Sequence, residues 1–318
     1  MKYLVGVDVG GTNVRIALGN AKGNIAVRLN ERSDKLSGPR GLSSQIKRMI
    51  RSLVDDDRIL CIGIGSAGPL DLKKGAIVHS PHLGFDRIPL LEPLEKEFRV
   101  PVCLVNDCVA AVIAEKVFGE GKKSANLVYV TVSSGIGGGA FVDNHLLRGK
   151  DGNAHEVGHV TIDQARRLLC GCGKRGHWEA YCGGDNIPNL VRLQLESEPR
   201  SDVESSLLYG KTDGNFGCIS SRILFDAAKC GDKLASRIVD EIGRLNALGF
   251  ANVNAVYDPE VITVGGAIAL ANPNLVLNPV RKLINESSIN RKPRIKLTTL
   301  GEDIVLYGAL ALANKLKR

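Results

Sequence analysis

Between His155 and Glu179 the chain reads HEVGHVTIDQARRLLCGCGKRGHWE, a run rich in side chains that bind metals and hydroxyls. Cys170, Cys172 and His177 follow the spacing C-x-C-x4-H, with His159 upstream. Two thiolates and two imidazoles complete a tetrahedral zinc shell with no open position, so a metal held here is structural rather than catalytic. The plain alternative, reduced cysteines in a glycine-rich loop, fits C-G-C-G followed by K-R-G-H poorly. Glu156 and His159 are three apart, so one helical turn sets them on the same face. One ring nitrogen of His159 can bind a metal while the other donates to a hydroxyl. Glu156 and Glu179 can each accept hydrogen bonds from hydroxyls of one polyol, a natural way to hold a sugar. Cys182 is a reserve metal ligand. His79, His82 and His155 read as surface or loop residues.

A second chemistry is written in glycine. Gly10-Gly11-Thr12, Ser134-Gly135-Ile136-Gly137 and Gly265-Gly266 each follow an apolar, strand-like run. One such turn is only a tight turn. Three in one chain, two of them with a hydroxyl, point to backbone N–H groups facing phosphate oxygens. None matches G-x-x-x-x-G-K-[ST], which excludes a P-loop. Asp8, just before the first glycine pair, can hold Mg²⁺ directly or through water. Phosphoryl transfer to a hydroxyl needs a positioned base beside such a cradle. Asp107 is the best candidate for that base, although its position also suits an ordinary helix cap. Asn106 beside it can orient the acceptor.

The elements that must carry these residues alternate. Tyr3–Val9 and Val14–Leu18 read as a hairpin closed by Gly10-Gly11. Residues 20–40 read as polar and turn-rich, followed by a helical pattern around Leu42, Ile46, Met49, Ile50 and Leu53. A strand over Ile59–Ile64 ends in Gly65-Ser66-Ala67-Gly68-Pro69, a turn opening toward a site. A helix over about 90–98 precedes a strand over Val100–Val105. That strand ends at Asn106-Asp107, and a helix from Cys108 runs to Phe118, stopped by Gly119. Leu127–Val132, a glycine turn and Ala140–Val142 echo the opening hairpin. The spacing of Leu234, Ile238, Ile242, Leu245 and Leu248 predicts a helix over 232–254. Val261–Val264 is a buried strand, and Asp303–Leu316 an Ala/Leu-rich helix. Strands alternating with helices predict an α/β fold with mixed sheets.

Composition limits the alternatives. At 318 residues, two domains are the natural expectation. No run is long and apolar enough for a transmembrane helix, and the start lacks the pattern of a signal peptide. The reading is a cytoplasmic protein without a membrane partner. The 8 cysteines are then not a disulfide framework, and Cys61, Cys103, Cys108, Cys218 and Cys230 read as small buried hydrophobes. The net charge of +8 suits an anionic small molecule, and the run Arg291–Lys296 reads as solvated surface. With 7 Phe, 6 Tyr and 1 Trp, stacking platforms are scarce and no nucleic-acid partner is expected.

The segments DVGGTNVRIAL, GIGSAGPLD, LVNDCVAA, SSGIGGG, HEVGHVTID, CGCGKRGHWEAYCGG and VITVGGAIA together resemble the ROK family of sugar kinases and repressors, within the actin-like, hexokinase-like ATPase fold. The resemblance covers nearly the whole chain. It implies a two-lobed fold with an interlobe cleft that closes on ATP and sugar, the C-terminal helix packing back on the first lobe. The expected lobes are 1–118 plus 303–318, and 119–302 with the zinc site. It implies Asp107 as catalytic base, and Asn106, Glu156, His159 and Glu179 as sugar ligands, with Gly68 on the same side. Asp8, Gly10, Gly11, Thr12, Asn13, Ser134, Gly135 and Gly137 would face Mg²⁺ and the nucleotide phosphates, and Gly265-Gly266 the adenosine.

Two positions depart from the family pattern. His177 stands where a third cysteine is usual, giving a Cys2His2 zinc site. Ser133-Ser134 stands where Gly-Thr is common, which adds a side chain near the phosphates and alters nucleotide contacts mildly. The expected activity is ATP-dependent phosphorylation of a hexose 6-hydroxyl, with glucose first because HSPHLGFDRIPLLEPL resembles the sugar-side loop of the family's glucokinases. An N-acetylmannosamine kinase is the alternative. A sugar-responsive repressor would carry a helix-turn-helix domain before a hairpin that here begins at residue 3. The family suggests a homodimer or homotetramer.

Overall fold

The computed structural model describes residues 2–80 and 83–316. Pro81 and His82 lie outside them. Residue contacts divide the chain into two compact units. The first takes residues up to Tyr129, Gly139–His155 and Thr298 onward; the second takes Val130–Gly138 and Glu156–Leu297. Residues 119–129 and 139–155 therefore pack with the first unit.

The first unit is built on a five-stranded sheet. Four of its strands are β1 (Tyr3–Val9), β2 (Asn13–Gly19), β3 (Ile25–Arg32) and β4 (Ile59–Ser66). Three short strands, β5 (Leu70–Asp71), β6 (Ala76–Val78) and β7 (Arg87–Pro89), form a separate small sheet. β8 (Val102–Asn106) then completes the order β3-β2-β1-β4-β8. β1 pairs antiparallel with β2 and parallel with β4, and β4 pairs parallel with β8.

Alternation along these strands sorts the two faces. Val5, Val7, Ile16, Leu18, Ile62 and Ile64 pack on one core with Leu42, Ile46, Met49 and Ile50 of the helix Gly41–Arg51. The intervening positions are small. Gly6, Gly63 and Gly65 alternate with the β-branched residues, so side chains on that face are missing where helices must approach. The helix Ile304–Lys315 fills the space, with Leu306, Leu310 and Ala313 against Leu4, Ala17 and Cys61. A Cβ at Gly63 would lie 2.0 Å from the Ala309 carbonyl oxygen. Gly308 makes the same allowance for the helix Asp107–Val117, since a Cβ there would lie 1.8 Å from Ala110 O.

Within residues 20–40, expected to be polar and turn-rich, Ile25–Arg32 forms β3. It is an edge strand, mostly exposed, and pairing with β2 rather than apolar burial defines it.

The other large sheet contains β9 (Leu127–Val132), β10 (Ile136–Val142), β11 (His145–Leu146), β12 (Val261–Gly265) and β13 (Arg294–Leu297), in the order β11-β10-β9-β12-β13. The long helix Lys233–Tyr257 buries Leu234, Ile238, Ile242 and Leu245, as the stripe predicts, whereas Leu248 is exposed. Arg294 and Lys296 lie on β13 at the sheet edge, where charge discourages pairing with another strand.

Several cysteine and histidine assignments change. Cys218 and Cys230 are exposed rather than buried, because each ends a short helical segment at the surface. Cys61 and Cys108 are buried as expected, and Cys103 is half-buried. Cys182 is no metal ligand: it is fully buried, and its thiol points to Ile242 O at 3.7 Å. His155 is 6% exposed, in a buried turn with φ of 76°, whereas His79 is on the surface as expected.

Candidate active site and metal clip

In the first unit, strand register assembles a row of backbone ends. Val9 pairs with Ser66, and Ser66 with Asn106. The turns that follow β1, β4 and β8 therefore emerge side by side at the carboxyl edge of parallel strands, within about 10 Å, two strand spacings. That edge is where open α/β sheets bind ligands. It brings together Asp8, Gly10, Gly11, Gly68, Asn106 and Asp107.

Asn106, not Asp107, is the N-cap of the helix Asp107–Val117. Its Oδ1 accepts from the N–H groups of Cys108 at 2.8 Å and Val109 at 3.4 Å. Asp107 occupies the first helical position, and its Oδ1 also accepts from Cys108 N, at 2.8 Å. With the capping done by its neighbour, Asp107 is not needed as the cap. A Cβ on Gly68 would lie 3.7 Å from Asn106 Nδ2, so the Gly68 turn borders the same amide.

Asp8 is 7% exposed and faces Arg15 across the hairpin. Arg15 Nε donates to Asp8 Oδ2 at 2.9 Å, and a second guanidinium nitrogen donates to the same oxygen. Burial raises the Asp8 carboxyl to about 6, against the lowering pull of Arg15. Arg15 also donates to Glu302 O at 2.8 Å, while Arg28 pairs with Asp303 at 3.0 Å. The first turn is closed by Gly10 N donating to Asn13 O at 2.9 Å, and Thr12 and Asn13 are exposed on it.

In the second unit, His159, Cys170, Cys172 and His177 offer ligand atoms that all lie within 4.8 Å of one another. Cys170 Sγ is 3.7 Å from His159 Nδ1, and Cys172 Sγ is 3.3 Å from His177 Nδ1. Ligand atoms around a tetrahedral zinc are roughly 3.5 Å apart, so the donor set and its spacing fit that ion. Burial pushes the Cys170 thiol up to about 12, so a thiolate here requires a cation beside it. With Nδ1 turned to the cluster, His159 Nε2 faces Glu156 Oε2 at 3.8 Å. Desolvation raises the Glu156 carboxyl, opposed by His159 and reinforced by the charge of Glu179.

The knuckle between these ligands is pinned by residues that the sequence reading did not single out. Asp163 accepts from Ala165 N at 3.0 Å, Arg167 N and Nε both at 3.1 Å, and the Tyr181 hydroxyl. Burial opposes its charge, yet these donors bring Asp163 down to about 2. Trp178, between His177 and Glu179, is fully buried, and its Nε1 donates to Asn246 Oδ1 at 2.9 Å. Its ring meets Phe250 edge-on with centroids 5.3 Å apart, and Gly249 leaves room beneath it. The one signal available was that the chain's single Trp stands between two polar site residues.

Glu179 itself does two things. Its Oε2 accepts from Ile136 N at 2.9 Å, and its Oε1 lies 3.3 Å from Cys170 Sγ. Ser134 and Gly135 lie on the turn into β10 and Gly137 within β10, in the same unit; Gly265 ends β12, and Gly266 follows it at φ of 91°. A Cβ on Gly266 would lie 2.5 Å from Val132 O, so only glycine fits there.

A ROK family model matches residues 4–316. A glucokinase of Pyrobaculum calidifontis is 38% identical over 316 residues, 99% of this chain and 95% of that protein. One of Aeropyrum pernix is 35% identical over 318 residues, covering 98% of this chain and 97% of its own. The crystal structure of a ROK family glucokinase from Streptomyces griseus in complex with glucose and AMPPNP superposes with a TM-score of 0.81 at 28% identity, over 98% of this chain and 99% of that one. The mixed α/β architecture is the actin-like ATPase fold of the ROK sugar kinases. Its glycine turns, its Asn106-Asp107 strand end and its Cys/His knuckle all fall within the matched span, and the chain belongs to the ROK family.

Proposed function

We propose that the protein is an ATP-dependent hexose kinase, a glucokinase that transfers the γ-phosphate of ATP to the 6-hydroxyl of glucose. The observation that carries this reading is the strand-end row of Gly10-Gly11, Gly68 and Asn106-Asp107, in a chain whose relatives of 38% and 35% identity are glucokinases. Asp107 accepts the proton of the attacking hydroxyl as the oxygen–phosphorus bond forms and ADP leaves with the electrons of the broken bond. Asn106 Nδ2 and the Gly68 turn orient that hydroxyl. Glu156, His159 and Glu179 accept from or donate to the remaining sugar hydroxyls. Backbone N–H groups of the Gly10–Asn13 and Ser134–Gly137 turns receive phosphate oxygens, and Gly265-Gly266 the adenosine.

Asp8 would hold Mg²⁺, directly or through water; both bonds from Arg15 fall on Oδ2. Mg²⁺ supplies charge neutralisation at the phosphates. Zn²⁺ on His159, Cys170, Cys172 and His177 supplies structure, fixing the ring of a sugar ligand. Among the described residues, no helix is long and apolar enough to cross a membrane, and we place the enzyme in the cytoplasm as a homodimer or homotetramer, which light scattering of the purified protein checks.

The test is a coupled ADP-release screen over glucose, mannose, glucosamine, N-acetylglucosamine and N-acetylmannosamine. Glucose is expected to give the highest kcat/KM. Preference for N-acetylmannosamine would overturn the sugar assignment, and no ADP release with any of them would overturn the kinase reading.

A further inference from the structure

The turn that precedes β10 is gripped from two sides within the second unit. Gly184 N donates to Ser133 O at 2.8 Å, and Asp185 N to Ser134 O at 2.9 Å. Ile136 N donates to Glu179 Oε2 at 2.9 Å. On the other side, Ala267 N, next to Gly266, donates to Ser133 Oγ at 3.4 Å. The hydroxyl of Ser133 thus bridges two glycine turns, beyond the mild change in nucleotide contacts expected from the sequence. Gly135 leaves space for the carboxylate: a Cβ there would lie 2.4 Å from Glu179 Oε2.

Only one of these bonds comes from the side chain of a sugar-ligand candidate. Ile136 is 4% exposed, so its N–H has little recourse to water if the carboxylate is removed. Both neighbours of Ile136 are glycines, whose backbone is the least restrained in the chain. Losing the bond from Glu179 to Ile136 N loosens the start of β10 and lets the N–H of Gly135, on the turn just before it, reorient, and that group is among those assigned to the phosphates.

Building on the kinase reading, we propose that Glu179 is a positioning residue for the nucleotide turn as well as a sugar ligand. One carboxylate oxygen fastens Ile136 N, and the other side of the group is directed to the zinc knuckle and the sugar. Sugar binding and phosphate binding in the second unit then share one carboxylate, so truncating Glu179 weakens both ligands, although Glu179 touches only the sugar.

The chemistry of the side chain makes this separable. Glu179→Gln retains a carbonyl oxygen of the same reach that can accept from Ile136 N, but replaces the other acceptor by an NH2 donor. Glu179→Ala and Glu179→Asp both withdraw the bond to Ile136, the second while keeping the charge. Full-length zinc-loaded protein is titrated with Mg-ADP by calorimetry without sugar, and the sugar KM is measured separately. Expected is a sugar KM raised at least tenfold in every variant. The ADP Kd stays within twofold of wild type in Glu179→Gln but rises about five- to thirtyfold in Glu179→Asp and Glu179→Ala, the loss of one buried hydrogen bond. Faster amide exchange at Ile136 in Glu179→Asp, and not in Glu179→Gln, accompanies it. Because Glu179→Asp keeps a carboxylate, it serves even if the alanine variant fails to fold. Wild-type ADP affinity in Glu179→Asp, or an equal loss in Glu179→Gln, overturns the proposal while the kinase reading stands. A wild type that binds no ADP removes the kinase reading itself.

Discussion

Asp8 and Arg15 face each other across the β1–β2 hairpin, and both guanidinium bonds end on one oxygen, Asp8 Oδ2. On the proposed role of Asp8 at the phosphates, the pair would set the working pH range of that site. The folded Asp8 carboxyl is raised to about 6, chiefly by burial. Its contribution to stability is greatest at low pH, where the fold holds the proton more tightly, and fades as pH rises from about 4 through 6. On the proposed role of Asp8, function runs the other way, because Mg²⁺ would need the carboxylate. The Mg-ATP kcat/KM is expected to fall as pH drops through about 6. Arg15→Gln removes the charge that favours ionisation, so the acid limb of the pH profile should move upward. An unmoved limb would separate Asp8 from Mg²⁺.

Asp107→Ala should lower kcat by about 10²–10⁴, the usual span for a positioned base. Mg-ADP affinity measured by calorimetry should stay within a fewfold of wild type. Since Asn106 caps the helix, the melting temperature should change little, and near-normal turnover would take Asp107 out of the base role.

Metal analysis of purified protein should find one zinc per chain. Cys172→Ser removes an exposed ligand without touching the core, so it tests the clip cleanly. Its zinc content should collapse and its Tm fall by roughly 5 °C or more. Full stability in a zinc-free preparation would show that the knuckle stands without the ion.

Asp163 carries the acid stability of that knuckle. Its carboxyl is held down at about 2, so its contribution is full above the unfolded value near 4 and is lost as pH falls from 4 through 2. A shift of that size corresponds to about 2 kcal/mol. Asp163→Asn should lower stability in urea at pH 7 by about that amount and flatten the pH dependence of unfolding between 4 and 2. An unchanged acid limb would mean the bonds from Tyr181 and Arg167 contribute nothing.

Gly63→Val tests the close approach of sheet and helix. Its Cβ would meet the Ala309 carbonyl at 2.0 Å, backbone that cannot swing away. Overpacking of this kind costs typically 1–3 kcal/mol, occasionally more. Thermal melting should show the loss, whereas Val27→Thr on the exposed edge strand should be close to neutral.

Much of the frame could be read from spacing alone. The apolar stripe from Leu234 to Leu248 gave its helix, and the hairpin around Gly10-Gly11 gave β1 and β2. The Cys170, Cys172 and His177 pattern pointed to side chains whose donor atoms converge with that of His159 within 4.8 Å. What spacing did not show has physical reasons. β3 was hidden because an edge strand exposes most of its side chains and so lacks an apolar pattern. Gly65 reads as the start of a turn but lies within β4, and the space that Gly6, Gly63 and Gly65 leave for helices does not show in strand spacing. Asn106 and Asp107 are adjacent and both able to cap, so only backbone geometry separates their roles. Asp163 and Trp178 act through partners that are distant or locally irregular: Tyr181, and Asn246 and Phe250 on the long helix.

The helix Ile304–Lys315 covers one face of β1 and β4, strands that lie far earlier in the chain. During synthesis, Leu4, Ala17 and Cys61 therefore wait with an apolar face open until residues near 310 leave the ribosome. The hairpin is completed only once that helix has been made. This delay gives a nascent chain a long window in which chaperones, or other unfinished chains, compete for that face.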